Sequence, residues 1–169
     1  MSKIHNNPTI NEEKININRN AIEHRATWTG LTYVEGKAAG MDLEQVIRSA
    51  ICKTGQFHGA GYQAQCKDPE DLRSFAEVFL PELGLKTFEM EVVNLTEDDL
   101  MIHFHYCPLL TAWQKQGFDD ETCDKLCDMA MDGDRNIAKA MGYDFHLGKP
   151  PAKGDAICEV PFFQAQYDL

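Results

Sequence analysis

The pattern of apolar and polar positions predicts helices in the first half of the chain. A weak amphipathic pattern, interrupted by threonine and glycine, predicts a helix over residues 18–34. A stronger one places apolar residues at i, i+3, i+4 and i+7, follows the capping residue Asp42 and should stop near Gly55. The three glycines within residues 55–66 predict a loop there.

A third helix and a β-hairpin follow. Asp68-Pro69 combines a capping residue with a proline at the first helical position, so it predicts a helix start, and Pro81 should end that helix. Residues 86–94 alternate in the manner of a strand. An acidic turn over 96–99 then leads into a returning strand.

The second half of the chain repeats this order. Pro108 predicts the start of a short helix, and Asp119 or Asp120 can cap a longer one that ends at Gly142. Residues 143–147 and 156–166 read as two further strands. The order helices, hairpin, helices, hairpin predicts an α+β domain, in which two hairpins pair into one antiparallel sheet with helices packed on it.

Asp134 interrupts the apolar stripe of the longer helix. If the helix continues through Gly133, this carboxylate faces the core, which is costly unless it is paired or functional. If Gly133 breaks the helix, Asp134 merely caps a new one. Both alternatives remain open. Cys123 and Cys127, one turn apart on the same stripe, are predicted to fill apolar space.

Size and charge narrow the class of protein. The 169 residues are enough for one domain with a full core, so we expect a flexible arm over 1–17 and a single domain over 18–169. A net charge of −11 argues against nucleic-acid binding and against docking on an anionic membrane. The polar N-terminus and the absence of a long apolar run favour a cytoplasmic protein. The sequence leaves a homo-oligomer open.

The chemistry is concentrated in the segment His103-Phe-His-Tyr-Cys-Pro-Leu-Leu. Strand alternation would place His103, His105 and Cys107 on one face. Because Pro108 suits the first position of a helix, Cys107 should lie where a strand becomes a helix. There the helix dipole and free N–H groups would lower the pKa of the thiol.

Three interpretations of this face remain open. His103, His105 and Cys107 could bind zinc or iron, with a fourth ligand from Cys158, Cys123 or Asp134. Cys107 could instead be a nucleophile with an imidazole as its base. Alternatively, the histidines only make hydrogen bonds and Cys107 only packs. The spacing does not choose among the three.

Three segments together resemble the L-2-amino-thiazoline-4-carboxylic acid hydrolase family. The segments are His103-Phe-His-Tyr-Cys-Pro-Leu-Leu-Thr-Ala-Trp, Cys127-Asp-Met-Ala-Met-Asp-Gly-Asp134 and Gly154-Asp-Ala-Ile-Cys158. The resemblance covers roughly residues 20 to 165. The closing segment is also similar, more loosely, to small-molecule-binding domains of the 4-vinyl reductase type.

The resemblance implies hydrolysis of a small cyclic, amidine-like C–N/C–S compound. Cys107 would be the nucleophile or a metal-held group, His103 or His105 the base and later the acid, and Asp134 the partner of the amidinium. The substrate carboxylate would be held by Arg25 or Arg135. The predicted substrate-binding set also includes Tyr106, Trp113 and Cys158. The alternative function is a non-catalytic domain that binds a small molecule or a metal.

Overall fold

The computed structural model describes residues 2–146 and 157–165, in which groups of helices are followed by pairs of strands. The helices are α1 (Glu13–Ala38), α2 (Glu44–Gln65), α3 (Leu72–Phe79), α4 (Glu82–Phe88), α5 (Pro108–Lys115) and α6 (Asp120–Met141), and the strands are β1 (Met90–Leu95), β2 (Asp99–Phe104), β3 (Tyr143–Phe145) and β4 (Cys158–Gln164). No helix within these described ranges is long and apolar enough to cross a membrane.

The four strands form one antiparallel sheet in the order β1-β2-β4-β3. The two hairpins meet where β2 pairs with β4, and Phe104 lies directly opposite Cys158 at the end of that pairing. The predicted α+β class, with two hairpins joined into one sheet and helices packed on it, is therefore confirmed. The predicted connection over 148–155 lies outside the described residues.

One face of the sheet carries the larger part of the core. Period-two alternation turns Leu100, Ile102, Val160 and Phe162 to the same side, where each is at most 1% exposed. Phe75 of α3 packs on them, with its ring in edge-to-face contact with that of Phe162 at a centroid distance of 5.2 Å. Helices α3 and α6 therefore cover this face of the sheet.

A second apolar cluster joins α1, α5 and α6. Trp113 at its centre is 1% exposed, and its indole Nε1 donates a hydrogen bond to the Ala26 carbonyl at 2.9 Å. Leu110 and Leu126 pack in the same cluster. The contacts of this cluster hold α5 against α1. The apolar face of α5, the helix that follows Cys107, therefore keeps that helix in place.

The predicted loop over residues 55–66 is wrong, because α2 continues as a helix to Gln65. Its glycines serve packing rather than a turn. A Cβ atom on Gly55 would lie 2.3 Å from the Gly133 carbonyl oxygen of α6, and one on Gly59 would lie 2.6 Å from the Ala140 Cβ. Glycine at i and i+4 thus lets the two helices approach closely.

Two predicted boundaries also shift. The third helix begins after Asp71, whose side chain accepts a hydrogen bond from the Arg73 amide, and not at Asp68-Pro69. The predicted strand over 86–94 begins only at Met90, since residues 82–88 form α4. Glu89 ends α4 with φ of 49°, in the left-handed region.

The ends of the two long helices are also clear. Helix α1 begins at Glu13, so residues 13–17 belong to it and not to the arm. Helix α6 begins after Asp119, whose side chain accepts a hydrogen bond from the Thr122 amide, and ends at Gly142 with φ of 83°. Between these points α6 is continuous through Gly133, which places Asp134 inside the helix.

The glycine contacts of α2 predict opposite effects for two alanine substitutions. Gly55→Ala should lower the free energy of unfolding by about 1–3 kcal/mol, because the new Cβ meets the α6 backbone. Gly61→Ala, in the same helix with no atom within 4 Å of its Cβ position, should raise it by roughly 0.5–1 kcal/mol through helix propensity. Urea unfolding of both variants provides the test, and equal effects would contradict the proposed close packing.

Candidate active site

Cys107 lies where the chain passes from β2 into α5. The His105 and Tyr106 amides donate to the Glu89 and Phe88 carbonyls, and Cys107 then caps α5 in an extended conformation, with φ of −130° and ψ of 111°. Pro108 begins the helix. The predicted position of this thiol at a strand-to-helix junction is confirmed.

The predicted face shared by two imidazoles and the thiol is not formed. Strand β2 ends at Phe104, so its alternation does not reach Cys107. His103 lies between Glu91 of β1 and Glu159 of β4 in the strand register. His105 is exposed, and its Nε2 lies 3.0 Å from the Glu91 carboxylate. The two imidazoles do lie side by side as predicted, with ring centroids 6.5 Å apart. The prediction is wrong for Cys107, because the strand is shorter than the pattern suggested.

The structure does not assemble His103, His105 and Cys107 into a metal-binding group. Across residues 2–146 and 157–165, no three His, Cys, Asp or Glu side chains are arranged to hold a metal ion. The histidines instead have carboxylate neighbours on the adjacent strands. These three residues therefore do not form a binding site for zinc or iron in the described part of the chain.

Asp134 approaches Cys107 from α6. Burial raises the pKa of the Asp134 carboxyl to about 6, while the charges of Arg25 and Arg135 oppose this increase. Its charge in turn raises the pKa of the Cys107 thiol. The continuous-helix alternative therefore holds, and it brings the Asp134 carboxylate close enough for its charge to act on the Cys107 thiol.

The pKa of Cys107 is raised, in contrast to the sequence prediction. Burial is the largest cause, and it outweighs the Leu110 and Leu109 amide groups at the start of α5, which lower the pKa. Those amides lie near the sulfur without forming a capping hydrogen bond with it. The helix terminus acts in the predicted direction but is the weaker effect.

Two further thiols lie near Cys107. Cys158 of β4 and Cys127 of α6 each have a raised pKa, caused first by burial and then by the charge of a Cys107 thiolate. Cys127 precedes Asp134 by two helical turns, which puts both on one face of α6. The sequence pattern assigned Cys127 only to packing. Its spacing to Asp134 was the available signal that it borders the site.

The two candidate arginines have different surroundings. Arg135 is held by the carboxylates of Asp128 and Asp132, at 2.8 and 2.7 Å. Arg25 of α1 is exposed and has no ion pair or side-chain hydrogen bond within the part of the chain that the structure describes. Its charge lowers the pKa of both Cys107 and Asp134. Arg25 is thus the better placed of the two to hold an anion.

Tyr106 and Trp113 offer almost no surface to a ligand. Tyr106 is 3% exposed, its ring lies 4.4 Å from the Arg19 guanidinium carbon, and its hydroxyl accepts a hydrogen bond from Thr111. Trp113 belongs to the second core cluster. Their predicted contact with substrate is not supported, because both rings are occupied by packing within the protein.

Four of these residues, Cys107, Cys127, Asp134 and Arg25, form what we call the Cys107 cluster, in which the charges of neighbouring groups shift the pKa values of Cys107, Cys127 and Asp134. Cys107, Cys127 and Asp134 are closely surrounded by protein and still keep part of their surface accessible, and Arg25 is exposed beside them. The charges that act on the Cys107 thiol come from Asp134 on α6 and Arg25 on α1. This arrangement can bind a small molecule that carries both a cationic and an anionic group.

Two open surface grooves lie elsewhere. One of about 440 Å³ is lined by Thr9, Ile10, Glu89 and His105 among others, and one of about 370 Å³ lies beside Tyr33. Neither contains Cys107 or Asp134. In the larger groove the Glu89 carboxylate is already occupied by protein donors. The Cys107 cluster, which combines a thiol, a carboxylate and a guanidinium, is the stronger candidate on chemical grounds.

Comparison with known proteins supports the family that the motifs suggested. The model of the L-2-amino-thiazoline-4-carboxylic acid hydrolase family matches residues 19–162, which include all four residues of the Cys107 cluster. Neither curated proteins nor solved structures give a match. Because the family model covers most of the 169 residues, this chain belongs to the L-2-amino-thiazoline-4-carboxylic acid hydrolase family.

Proposed function

We propose that this protein hydrolyses a small cyclic, amidine-like C–N/C–S compound that carries a carboxylate, such as 2-aminothiazoline-4-carboxylate. The observation that carries the proposal is that the charges of Asp134 and Arg25 both act on the Cys107 thiol, while all three residues keep part of their surface accessible. A nucleophile, a carboxylate and a cation are the groups that such a reaction needs.

The opposite charges of Asp134 and Arg25 suggest how the substrate binds. Its amidinium would lie against Asp134, which is mostly ionised above its pKa of about 6. Its carboxylate would accept hydrogen bonds from the guanidinium of Arg25. A cation bound beside Cys107 also lowers the pKa of that thiol, since it offsets the effects of burial and of Asp134.

The first chemical step opens the ring. Asp134 takes the proton of the Cys107 thiol, and the thiolate adds to the amidine carbon. The bond between that carbon and the ring sulfur then breaks, and the departing sulfur takes the proton from Asp134. The products of this step are a free substrate thiol and an isothiourea that links the substrate carbon to Cys107.

The second step releases the enzyme. A water molecule gives a proton to Asp134 and adds to the isothiourea carbon, and the bond to the Cys107 sulfur breaks. The sulfur regains a proton, and the carbon is left as the carbonyl of an N-carbamoyl group. One water is consumed per ring. Asp134 takes the base and acid roles that the resemblance assigned to His103 or His105. His103 lies on β2 and His105 directly follows it, and both have carboxylate neighbours on adjacent strands.

Replacing Cys107 tests the nucleophile. Cys107→Ala should lower kcat at least about 10³-fold, because it removes the proposed nucleophile, and burial raises the pKa values of the neighbouring Cys127 and Cys158 thiols. Cys52→Ala, a half-buried cysteine of α2 away from the site, should keep wild-type turnover. The measurement is chromatographic detection of the N-carbamoyl product from 2-aminothiazoline-4-carboxylate.

The outcomes of this experiment separate the functional classes. Retained turnover in Cys107→Ala would remove the nucleophile from the proposal. A wild-type protein that binds the thiazoline, raises its own Tm and consumes none of it would support the non-catalytic binding domain instead. Turnover that depends on Cys107 would exclude that alternative.

Replacing Arg25 tests the carboxylate contact. Arg25→Gln should raise KM about 10- to 100-fold with a small effect on kcat, because it removes a charge-assisted interaction with a part of the substrate that does not react. Arg73→Gln, an exposed arginine paired with Asp71, serves as the control and should leave both constants unchanged. An unchanged KM in Arg25→Gln would contradict this assignment.

Replacing Asp134 should increase stability while reducing activity. The pKa of Asp134 is raised to about 6 in the folded protein, from an ordinary 3.8, so the folded state binds its proton more tightly than the unfolded state. Ionised Asp134 therefore costs stability above pH 6. Asp134→Asn should raise the free energy of unfolding at pH 7 by about 1–3 kcal/mol, and the gain should vanish below about pH 4.

Asp128 provides the matched control on the same helix. Although burial opposes it, hydrogen bonds from Arg135 and Arg48 lower the pKa of Asp128. Asp128→Asn should therefore reduce stability at pH 7, and this loss should fade as the pH falls through the lowered pKa. Urea unfolding at pH 7 and pH 4 measures both variants. A loss of stability in Asp134→Asn at pH 7 would contradict the assigned environment.

A further inference from the structure

An N-terminal arm packs against α5 and the start of α6, outside the segment that matches the family model. The match begins at residue 19, and the described arm comprises residues 2–12. Ile4 is 6% exposed and packs in the same apolar cluster as Leu110 and Trp113. The Lys3 amide donates a hydrogen bond to the Asp120 carboxylate at 2.9 Å.

The arm is also held at its other end, by Glu89. The carboxylate of Glu89 accepts hydrogen bonds from the Thr9 amide at 2.7 Å, the Thr9 hydroxyl at 2.7 Å and the Ile10 amide at 2.8 Å. The Arg19 guanidinium donates to the Ile10 carbonyl at 2.7 Å. The segment between Ile4 and Thr9 is therefore fixed on both sides.

Asn6 lies between these anchors and contacts the backbone of Cys107. The Cys107 N–H donates to Asn6 Oδ1 at 2.8 Å, and Asn6 Nδ2 donates to the Cys107 carbonyl at 2.8 Å. The same Nδ2 donates to the Thr111 hydroxyl at 2.9 Å. One side-chain amide thus satisfies both polar groups of the Cys107 backbone.

This pairing replaces a sheet contact that has ended. The amides of His105 and Tyr106 still bond to the chain segment before β1, whereas the Cys107 amide bonds to Asn6. An asparagine amide has the donor and acceptor of a peptide group, so it continues the pairing for one more residue. It thereby holds the φ and ψ of Cys107 that place the sulfur near the Leu109 and Leu110 amides.

We propose that Asn6 is a positioning residue for the Cys107 thiol, and that the N-terminal arm is a part of the active site. Asn6 acts through the backbone of Cys107 and does not touch the reacting atoms. The catalytic consequence rests on the proposed function, in which Cys107 is the nucleophile. The effect on the thiol itself does not depend on that function.

The test combines alkylation of the thiol with kinetics. Asn6→Ala removes both backbone contacts, and Asn7→Ala, its exposed neighbour, is the matched control. The rate of Cys107 alkylation by iodoacetamide is measured from pH 7 to pH 12, because burial raises the pKa of this thiol, and the modified peptide is quantified by mass spectrometry. The kcat and KM for 2-aminothiazoline-4-carboxylate are measured on the same samples.

We expect the alkylation midpoint of Asn6→Ala to move by at least about half a pH unit, because the burial and the amide contacts that set it depend on where the sulfur lies. We expect kcat to fall at least about tenfold with little change in KM, because the attacking atom is misplaced and the binding groups are not. Asn7→Ala should match the wild type in all three measurements.

Asn6→Asp is the second variant, for the case in which Asn6→Ala does not fold. It keeps the acceptor for the Cys107 N–H, loses the donor to the Cys107 carbonyl and adds a negative charge near the thiol. Its alkylation midpoint should therefore move to higher pH.

The proposal is overturned by an unchanged midpoint in the Asn6 variants, even if kcat falls, or by an equal shift in Asn7→Ala. Failure of the proposed function has a different signature, which is retained hydrolysis in Cys107→Ala. In that case the alkylation midpoint still decides whether Asn6 positions the thiol.

Discussion

The buried guanidinium of Arg19 makes the interactions on which the arrangement of the chain around Cys107 depends. Arg19 is 4% exposed, pairs with Glu89 at 2.9 Å and donates to the carbonyls of Thr87, Lys86 and Ile10. Removing one partner of such a buried pair typically costs about 3–5 kcal/mol, since the other charge is left without compensation. A single side chain of α1 thus joins the arm, the end of α4 and the start of β1.

The same guanidinium also contacts Tyr106, the residue before Cys107. It lies over the ring of Tyr106, whose amide bonds to the Phe88 carbonyl beside the end of α4. Burial raises the pKa of Glu89, but hydrogen bonds from Ile10, Thr9 and Arg19 outweigh it and lower that pKa overall. The pair therefore stays charged at neutral pH. The position of Cys107 therefore depends on the Arg19–Glu89 pair, which contacts the neighbouring Tyr106, and not on the strand alone.

Local signals in the sequence predicted much of the fold. Pro108, Asp119 and Gly142 mark helix ends through their own backbone preferences, which act within a few residues. The extension of α2 could not be predicted in this way, because the role of Gly55 is a contact with α6 that is remote in sequence. Nor could alternation reveal where β2 ends, since that depends on which backbone groups find partners.

The candidate site was predictable only in part, for the same reason. The positions of Cys107 and Asp134 follow from local pattern, whereas the raised pKa of the thiol depends on burial that only the folded chain produces. Asn6 has no periodic or motif signal, and its importance comes from two hydrogen bonds across 101 positions of the chain.

The packing of the arm has a practical consequence for handling this protein. Ile4 is buried and the Lys3 amide is bonded to α6, so the arm is held against the folded body. A variant shortened to the family-matched segment, which begins at residue 19, would lose Asn6 and both of its hydrogen bonds to the Cys107 backbone. Studies of the Cys107 thiol therefore need the arm in place.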